Sequence, residues 1–477
     1  MKSYLDSKIS EDILYTIAIT AFVGLFVLAN YLFGFNLPLY AITTAVGFYL
    51  AARYPRAGLY AIIFLTFIFE RFFTLIPIVM GRSEYKIYPV DVLVIAVIFG
   101  IILQSINGRI GLVFKKVDMI LAVFMSLSVI YFFVGAIILK NDAALAFSTV
   151  KNYAFYALLY FIAYVLIDNK RRLEELVSVI LISAVGIIWF VLYGIIAGNG
   201  LWSEYTPLST EGVRTLAFTH AFYLCMAFIV AMVYIAYKSD RFSKWFLILM
   251  PVWLIGIVGS MMRHLWISIL IAIIFLIIMF AKSERRRIKK CALIYSSIAV
   301  CIFIVIFYGA TLFPRSHIYG TLGNAADMIQ SRVVSMADTA NDESIVWRSA
   351  VWQQAIKQYS GSPVFGIGFG ELIPVEIGKY HDFVETRNVH NSFLVLLIQM
   401  GIIGSGLLIV FIAILIGKTL KNKIDDGFIQ AASLETLGIL VFQTVAFMFQ
   451  PYLETNLLGI FFWINLGIIR RLHELKQ

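Results

Sequence analysis

Residues 387–418 read RNVHNSFLVLLIQMGIIGSGLLIVFIAILIGK, and this stretch decides the fold. It opens with the polar residues Arg387, His390 and Asn391 and continues as an almost uninterrupted apolar run to Lys418. A hydrocarbon layer about 30 Å thick requires about 20 apolar residues in one helix. The run is therefore long enough to cross a membrane, with the polar residues at one surface.

The composition extends this interpretation to the whole chain. Of 477 residues, 61% are hydrophobic and 14% charged, and the mean hydropathy is +0.89. Soluble domains are far less apolar, so we predict an all-α, polytopic membrane helix bundle. Cys225, Cys291 and Cys301 lie in or beside apolar runs, which gives no basis for a disulfide or a cysteine metal site. The net charge of +10 is divided among many short segments, so we expect no nucleic-acid partner.

The apolar runs predict about 12–14 spans, and a direct count gives fourteen. The fourteen predicted spans cover residues 12–33, 37–52, 57–80, 89–106, 117–139, 144–167, 173–198, 213–237, 245–261, 263–281, 291–313, 390–418, 429–449 and 453–470. The last two runs are also compatible with a single re-entrant hairpin.

A single long polar interval divides the chain. We predict N-terminal transmembrane helices over residues 1–313, a loop over 314–389 and C-terminal transmembrane helices over 390–477. Within the loop, the near-helical spacing of apolar residues predicts an amphipathic helix over Glu343–Ser360. Ser362-Pro363 then ends that helix.

Lysine and arginine residues indicate the orientation. Placing the N-terminus in the cytoplasm puts most of the 38 basic residues into cytoplasmic connections, as positive-inside topology requires. Both termini are then predicted to be cytoplasmic, and the loop lies on the opposite side.

Two arginines at the outer ends of predicted helices are not explained by topology. Arg214 and Arg263 are costly there unless each faces a partner or a water-filled cavity. Arg214 is also compatible with snorkelling to the headgroups, and Arg263 with anchoring the turn after Gly259-Ser260-Met261-Met262.

His390 and Asn391 begin an apolar helix directly after the loop. An imidazole there is a candidate general base, but the pair is also typical of a simple helix cap, since asparagine accepts from free N–H groups. His220, in an apolar helix, is predicted to pack or hydrogen-bond internally and to play a supporting part at most.

Further candidates lie within the loop. Arg348 and Arg387 are basic residues on the outer side. Gly366 and Gly368 belong to a Gly-x-Gly-x-Gly run, a weak signal for phosphate binding that is equally typical of a tight turn.

An ordered set of residues between about 210 and 410 resembles the O-antigen ligase and O-antigen polymerase superfamily of membrane glycosyltransferases of the GT-C type. The set comprises Arg214, Arg263, Trp347-Arg348, Pro363-x-x-Gly366-x-Gly368, His390-Asn391-x-Phe393-Leu394, Gly401 and Gly404. The His-Asn-x-Phe-Leu element after a long periplasmic loop is its most specific part.

The resemblance implies a donor glycan on undecaprenyl diphosphate and an active site on the periplasmic face of the bacterial inner membrane. It implies that Arg214 and Arg263 hold the diphosphate, with Arg387 as an additional candidate, and that His390 assists the acceptor hydroxyl. It further implies an inverting reaction that needs no metal, nucleotide or other cofactor. Guanidinium groups suit a departing diphosphate, and a neutral imidazole can accept the hydroxyl proton.

Several functions remain open at this point. The leading hypothesis is a ligase that joins lipid-linked polysaccharide to an acceptor such as lipid A core. A polymerase would instead use a second lipid-linked repeat unit and more basic residues, such as Arg71, Arg82 or Arg387. A protein O-glycosyltransferase shares the chemistry, and a transporter of lipid-linked sugar belongs to a different class. Transporters are commonly built on internal repeats, and none is evident here.

Overall fold

The structure is a computed structural model that describes residues 11–69, 78–80, 83–85, 88–111, 113–197, 216–238, 241–312, 330, 343–377, 380–421, 426–454 and 457–475. Helices account for most of these residues. They are α1 (Glu11–Phe33), α2 (Leu37–Arg53), α3 (Pro55–Ile68), α4 (Pro89–Ile106), α5 (Lys116–Phe133), α6 (Ala143–Val150), α7 (Leu158–Leu166), α8 (Lys170–Ala197), α9 (Phe218–Tyr237), α10 (Arg241–Gly259), α11 (Arg263–Met279), α12 (Lys282–Leu312), α13 (Glu343–Tyr359), α14 (Ser392–Lys421), α15 (Gly427–Phe447) and α16 (Leu458–Leu475).

The all-α, polytopic architecture predicted from the composition is confirmed. Eight helical segments of the described chain are long and apolar enough to cross a membrane, and three shorter apolar helices accompany them. Every predicted span contains a helix, and the last two spans form the separate helices α15 and α16. The division into three domains remains a prediction.

The predicted span over residues 57–80 is wrong at Phe69 and at residues 78–80, which are not helical, and residues 70–77 lie outside the described part of the chain. Helix α3 ends at Ile68, just before the charged pair Glu70-Arg71 in the sequence. Residues Ile78–Met80 (β1) pair antiparallel with Ser83–Tyr85 (β2) instead of continuing the helix. Charged side chains are costly in an apolar helix, which favours a helix end at this point.

Two π-helical segments interrupt the regular helices. Val134–Ile138 follows α5, and Lys151–Phe155 joins α6 to α7. The second segment directs polar side chains into the bundle, where Lys151 forms a buried ion pair with Asp91 of α4. Buried charges require such pairing.

Ion pairs join the helices at the end of the bundle that the sequence predicts to be cytoplasmic. They link Arg56 to Asp168, Arg172 to Asp12, Lys115 to Glu474 and Arg470 to Asp118, at 2.7–3.2 Å. The buried pair of Arg470 and Asp118 connects α16 to the start of α5. Some of the basic residues that determine the predicted topology therefore also hold neighbouring helices together.

The opposite end of the bundle, which we call the loop end, carries a small folded unit made of α13 and the residues that follow it up to α14. The amphipathic helix predicted there is confirmed as α13. The strands β3 (Leu372–Ile377) and β4 (Tyr380–Glu385) form an antiparallel hairpin, which the sequence analysis did not predict. Buried residues of α13, the hairpin and the start of α14 form a separate hydrophobic cluster, which includes Val351, Ile373 and Val395.

The glycine run packs against a kink in α14. Gly401 has φ 64° and ψ −165°, which breaks the helical geometry. At this break Ile367 N donates to Ile398 O at 2.8 Å, Gly368 N to Gln399 O at 3.1 Å, and Ile402 N to Pro363 O at 3.0 Å. The loop thus satisfies backbone groups that the interrupted helix leaves open.

Candidate active site at the loop end

His390 lies between the loop unit and α14. The short 3-10 helix Thr386–Val389 ends at His390, whose backbone is left-handed with φ 58° and ψ 34°. Such a conformation is uncommon for a residue with a Cβ and costs about 1–2 kcal/mol. The capping function belongs to Asn391, whose Oδ1 accepts from Phe393 N and Leu394 N at 3.1 and 3.0 Å. Asn391 therefore caps the N-terminus of α14, and the His390 side chain takes no part in the cap.

The imidazole of His390 is held by groups from two other elements. Its Nδ1 lies 2.7 Å from Oε1 of Gln450, in the connection between α15 and α16. The Trp347 ring of α13 meets it edge to face at 5.5 Å. Burial lowers the pKa of His390 below its ordinary value of 6.5, the hydrogen bond to Gln450 opposes this shift, and the positive charge of Arg348 adds to it. The imidazole is accordingly neutral near pH 7 and can accept a proton.

A second histidine, His264, belongs to the same group of ionisable side chains as His390, Arg263 and Arg348. His264, the second residue of α11, is buried and hydrogen-bonds through Nε2 to the hydroxyl of Tyr452. Arg263, Arg348 and His390 all interact electrostatically with its ring. The loop end therefore brings together residues from α11, α13, the start of α14 and the connection before α16.

Arg263 stands at the exit of a tight turn, as one interpretation of its sequence context predicted. Met261 in that turn has a left-handed backbone with φ 56°, and α11 begins two residues later. The N-cap residue of α11 is Met262, which has no oxygen acceptor for the first N–H groups. A helix N-terminus beside an arginine favours an anion.

Other predicted residues lie apart from this cluster or cannot be placed. His220 is fully buried, lies 3.0 Å through Nε2 from the Ile68 carbonyl oxygen and stacks on Phe190 at 4.6 Å. It packs internally, as the sequence suggested. Arg214 lies outside the described residues. Arg387 belongs to the described 3-10 helix, but its side chain is outside the described part.

Gly366 and Gly368 lie where the glycine run packs against α14. Their φ values of 75° and 87° favour glycine, and a Cβ on Gly366 would lie 2.5 Å from Ile398 O. The amide of Gly366 donates to Ser362 O and that of Gly368 to Gln399 O. These two N–H groups are engaged within the protein, so the tight-turn interpretation suits them better than a phosphate cradle.

The residues Gln450, Tyr452 and Glu454 were missed by the sequence analysis. They fall in the segment FQPYLET, residues 449–455, where Gln450 and Tyr452 lie between the predicted spans 429–449 and 453–470 and Glu454 was included in the second of these spans. The presence of four polar residues in a short connection was the available signal. The sequence analysis did not assign His264 to the site either.

The cluster combines a base, guanidinium groups and aromatic rings at one end of a membrane bundle. Within the described residues, no three histidine, cysteine, aspartate or glutamate side chains form a group that could hold a metal ion. The arrangement can bind an anionic group and remove a proton from a nearby hydroxyl.

These features define a multi-pass membrane protein with an ionisable site at one end of its helices. Residues 245–411 match the family model described as O-antigen ligase, which supports the resemblance of this part of the chain to the O-antigen ligase superfamily. The match supports a ligase-like or polymerase-like membrane enzyme of polysaccharide biosynthesis, acting on lipid-linked glycans in general. It contains Arg263, Arg348 and His390, whereas Gln450 and Tyr452 lie beyond it. No curated protein matches the chain.

Proposed function

We propose that this protein transfers a glycan from a lipid diphosphate to an acceptor sugar hydroxyl, with His390 as the general base. The observation that carries the proposal is that one short segment holds both histidines of the cluster: Gln450 bonds to His390, and Tyr452 bonds to His264, the residue next to Arg263. The O-antigen ligase match over residues 245–411 supports the same chemistry.

The reaction follows from the groups that are present. His390 takes the proton of the acceptor hydroxyl as the hydroxyl oxygen bonds to the anomeric carbon of the donor sugar. The bond from that carbon to the diphosphate oxygen breaks, and its electron pair leaves with the lipid diphosphate. Attack on the face opposite the leaving group inverts the anomeric configuration.

Cationic groups stabilise the departing diphosphate. Arg263 at the start of α11 and Arg348 on α13 carry guanidinium groups. A guanidinium group stays charged at any working pH and can bind two phosphate oxygens at once. The N-terminus of α11 adds a positive dipole end beside Arg263. Arg214 and Arg387 remain proposed ligands of the same diphosphate, on the strength of the resemblance alone.

The position of the site at a membrane surface suits a lipid-linked donor. A long polyprenyl tail can remain in the bilayer while its diphosphate reaches the loop end. The distribution of basic residues supports both termini in the cytoplasm and the site on the opposite side of the membrane. From the resemblance to the O-antigen ligase superfamily, we propose that this side is the periplasmic face of a bacterial inner membrane. We propose undecaprenyl diphosphate as the donor carrier and lipid A core as the acceptor.

The direct test incubates the purified protein with an undecaprenyl-diphosphate-linked glycan, with and without lipid A core, in EDTA and without nucleotide. Transfer to lipid A core is the expected result. Chain lengthening without that acceptor would identify a polymerase. If no covalent product forms and the glycolipid crosses the bilayer of proteoliposomes, the protein is a transporter and the proposal is wrong.

Variants test the assigned residues in the same assay. Arg263→Ala, Arg348→Ala and His390→Ala are expected to lower transfer by about 10²-fold or more with normal membrane insertion, and Arg214→Ala likewise. Arg286→Ala is the matched control, since Arg286 is an exposed arginine near the start of α12, at the opposite end of the bundle. Full activity in any of the first four variants would remove that residue from the mechanism.

A further inference from the structure

The segment Gln450–Glu454 contacts the site through three of its side chains. Gln450 bonds to His390, Tyr452 bonds to His264, and Glu454 bonds to Ser392, the first residue of α14. The segment lies outside the residues that match the O-antigen ligase family model. It is the connection between the last two helices of the bundle.

The contact of Gln450 with His390 determines where the imidazole carries its proton. Oε1 of Gln450 is an acceptor, and it lies 2.7 Å from Nδ1 of His390. Nδ1 must therefore hold the hydrogen, which leaves the lone pair on Nε2. A base acts through its lone pair, so this contact aims Nε2 away from Gln450.

The backbone of the segment is anchored by the buried side chain of Glu454. Ser392 Oγ donates to Oε2 of Glu454 at 2.6 Å, and the Tyr153 hydroxyl donates to Oε1. Asn152 Nδ2 donates to the backbone oxygen of Glu454 at 2.6 Å. Glu454 is 4% exposed, so these bonds form away from water and are costly to lose.

Ser392 forms hydrogen bonds to the backbone of the segment Gln450–Glu454 as well as to the Glu454 side chain. It follows Asn391 directly and hydrogen-bonds to the Gln450 carbonyl oxygen at 3.3 Å, and its Oγ accepts from Leu453 N at 3.1 Å. The residue two positions after His390 is thus bonded to the segment that orients the His390 ring.

We propose that Gln450 is a positioning residue of the transfer reaction, holding His390 as the Nδ1–H tautomer, and that Glu454 fixes the segment from which Gln450 acts. This inference rests on the proposed role of His390 as a base. Other groups that face His390 are Arg348 and Trp347 on α13 and His264 on α11. Within the described residues, Gln450 is the side chain that accepts a hydrogen bond from the His390 ring.

The first test replaces the amide by a carboxylate of the same shape. In Gln450→Glu, a negative charge at 2.7 Å stabilises the imidazolium, so the acid limb of the pH–rate profile should move up by about 1–3 pH units. Gln353→Glu makes the same chemical change at an exposed position of α13 and should leave the limb unchanged. An unshifted profile in Gln450→Glu overturns the proposal.

The second test separates positioning from packing. Gln450→Leu should lower kcat roughly 10- to 100-fold without changing KM for the donor, because a misaligned base slows only the chemical step. Glu454→Ala should have the same effect, and Glu454→Gln should restore most of the rate, since its amide oxygen still accepts from Ser392 or Tyr153. Wild-type kcat in Gln450→Leu would contradict the proposed role.

A third measurement does not depend on transfer. Nitrogen NMR of histidine-labelled protein, with the His390 signals assigned by difference from His390→Asn, should show the Nδ1–H tautomer in the wild type and its loss in Gln450→Leu. If the tautomer responds in this way but no glycan is transferred, the proposed function fails while the positioning contact stands. An unchanged tautomer in Gln450→Leu overturns the inference itself.

Discussion

The indole N–H of Trp352 donates to the backbone oxygen of Val389 at 2.7 Å, and Val389 is the residue before His390. Helix α13 therefore holds the backbone that enters the left-handed conformation of His390. Val389 is fully buried, so its carbonyl has no access to water in place of this bond. The loop helix is in this way connected to the position of the proposed base.

Trp352→Phe should weaken that connection while retaining an aromatic ring. Leaving the buried Val389 carbonyl unsatisfied costs about 1–3 kcal/mol, and we expect a fall of roughly tenfold in the transfer rate with a lower thermal unfolding midpoint. Trp245→Phe, at an exposed tryptophan of α10, is the control and should be neutral. An unchanged rate and midpoint in Trp352→Phe would show that the bond does not hold His390.

Replacing His390 by asparagine and by alanine distinguishes the chemical role of its imidazole from the energetic cost of its left-handed backbone. Both His390→Asn and His390→Ala should lose transfer by about 10²- to 10⁴-fold, because neither side chain can act as the base. Asparagine adopts the left-handed region readily, so only His390→Ala should also lose about 1 kcal/mol of stability. Transfer assays and thermal unfolding check the two effects, and an active His390→Asn would exclude the imidazole as the base.

Gly401→Ala should destabilise the contact between the glycine run and α14. A Cβ at Gly401 would lie 2.2 Å from Val364 O, and the backbone has φ 64°. We expect a loss of about 2–3 kcal/mol or more in thermal or denaturant unfolding. In Gly406→Ala, on the same helix with open space around the new Cβ, stability should be unchanged or slightly higher. Equal stability of the two variants would contradict the strained kink.

The pH dependence of transfer should reflect the environment of His390. The neutral imidazole is the active form, so the rate should fall as the pH drops through a folded-state pKa below 6.5. Arg348→Gln removes a positive charge that lowers this pKa, so the acid limb should move to higher pH even where the maximal rate is reduced. Lys357→Gln, an exposed basic residue on the same helix, is the control. A limb that stays in place in Arg348→Gln would show that Arg348 does not act on His390.

Glu454 should make the stability of the protein fall as the pH rises, whereas the transfer rate should fall as the pH drops. Burial raises its pKa from 4.5 to about 7, although hydrogen bonds from Ser392 and Tyr153 oppose the shift. A raised pKa contributes stability that is complete below 4.5 and is lost as the pH rises through about 7.

Glu454→Gln removes this titration, so its stability relative to the wild type should increase by about 1–3 kcal/mol between pH 5 and pH 8.5. Thermal unfolding in detergent at the two pH values measures the difference. Glu376→Gln, at an exposed position of β3, should show no such change. A constant difference between Glu454→Gln and the wild type would mean that Glu454 is ionised throughout.

Much of the fold could be predicted because a membrane restricts what a chain can do. Apolar runs of about 20 residues must be helices in a bilayer, since each backbone group has to be satisfied within its own segment. Helices α14 and α15 lie close to the predicted spans for this reason. The prediction failed after Ile68, where the run contains charged residues and the backbone leaves the helix for a hairpin.

The β3–β4 hairpin was missed although its sequence contains a signal. LIPVEI and YHDFVE are separated by Gly378-Lys379, and two short runs flanking a glycine-containing pair of residues are typical of a hairpin. The amphipathic pattern of α13 is more regular than the pattern of the two strands, so only the helix was predicted in the loop. The hairpin packs on α13, so its formation also depends on contacts that the local pattern does not contain.

The sequence by itself determined the membrane class, the positions of most helices, the amphipathic loop helix and the importance of His390 as a candidate. These follow from local composition, periodicity and the order of a few residues. Only the tertiary structure decided that Gln450, 60 residues later, orients His390, that Tyr452 bonds to His264, and that the glycine run closes a kink in α14. Side-chain hydrogen bonds depend on how distant helices pack, and packing is a property of the assembled bundle that no single stretch of sequence encodes.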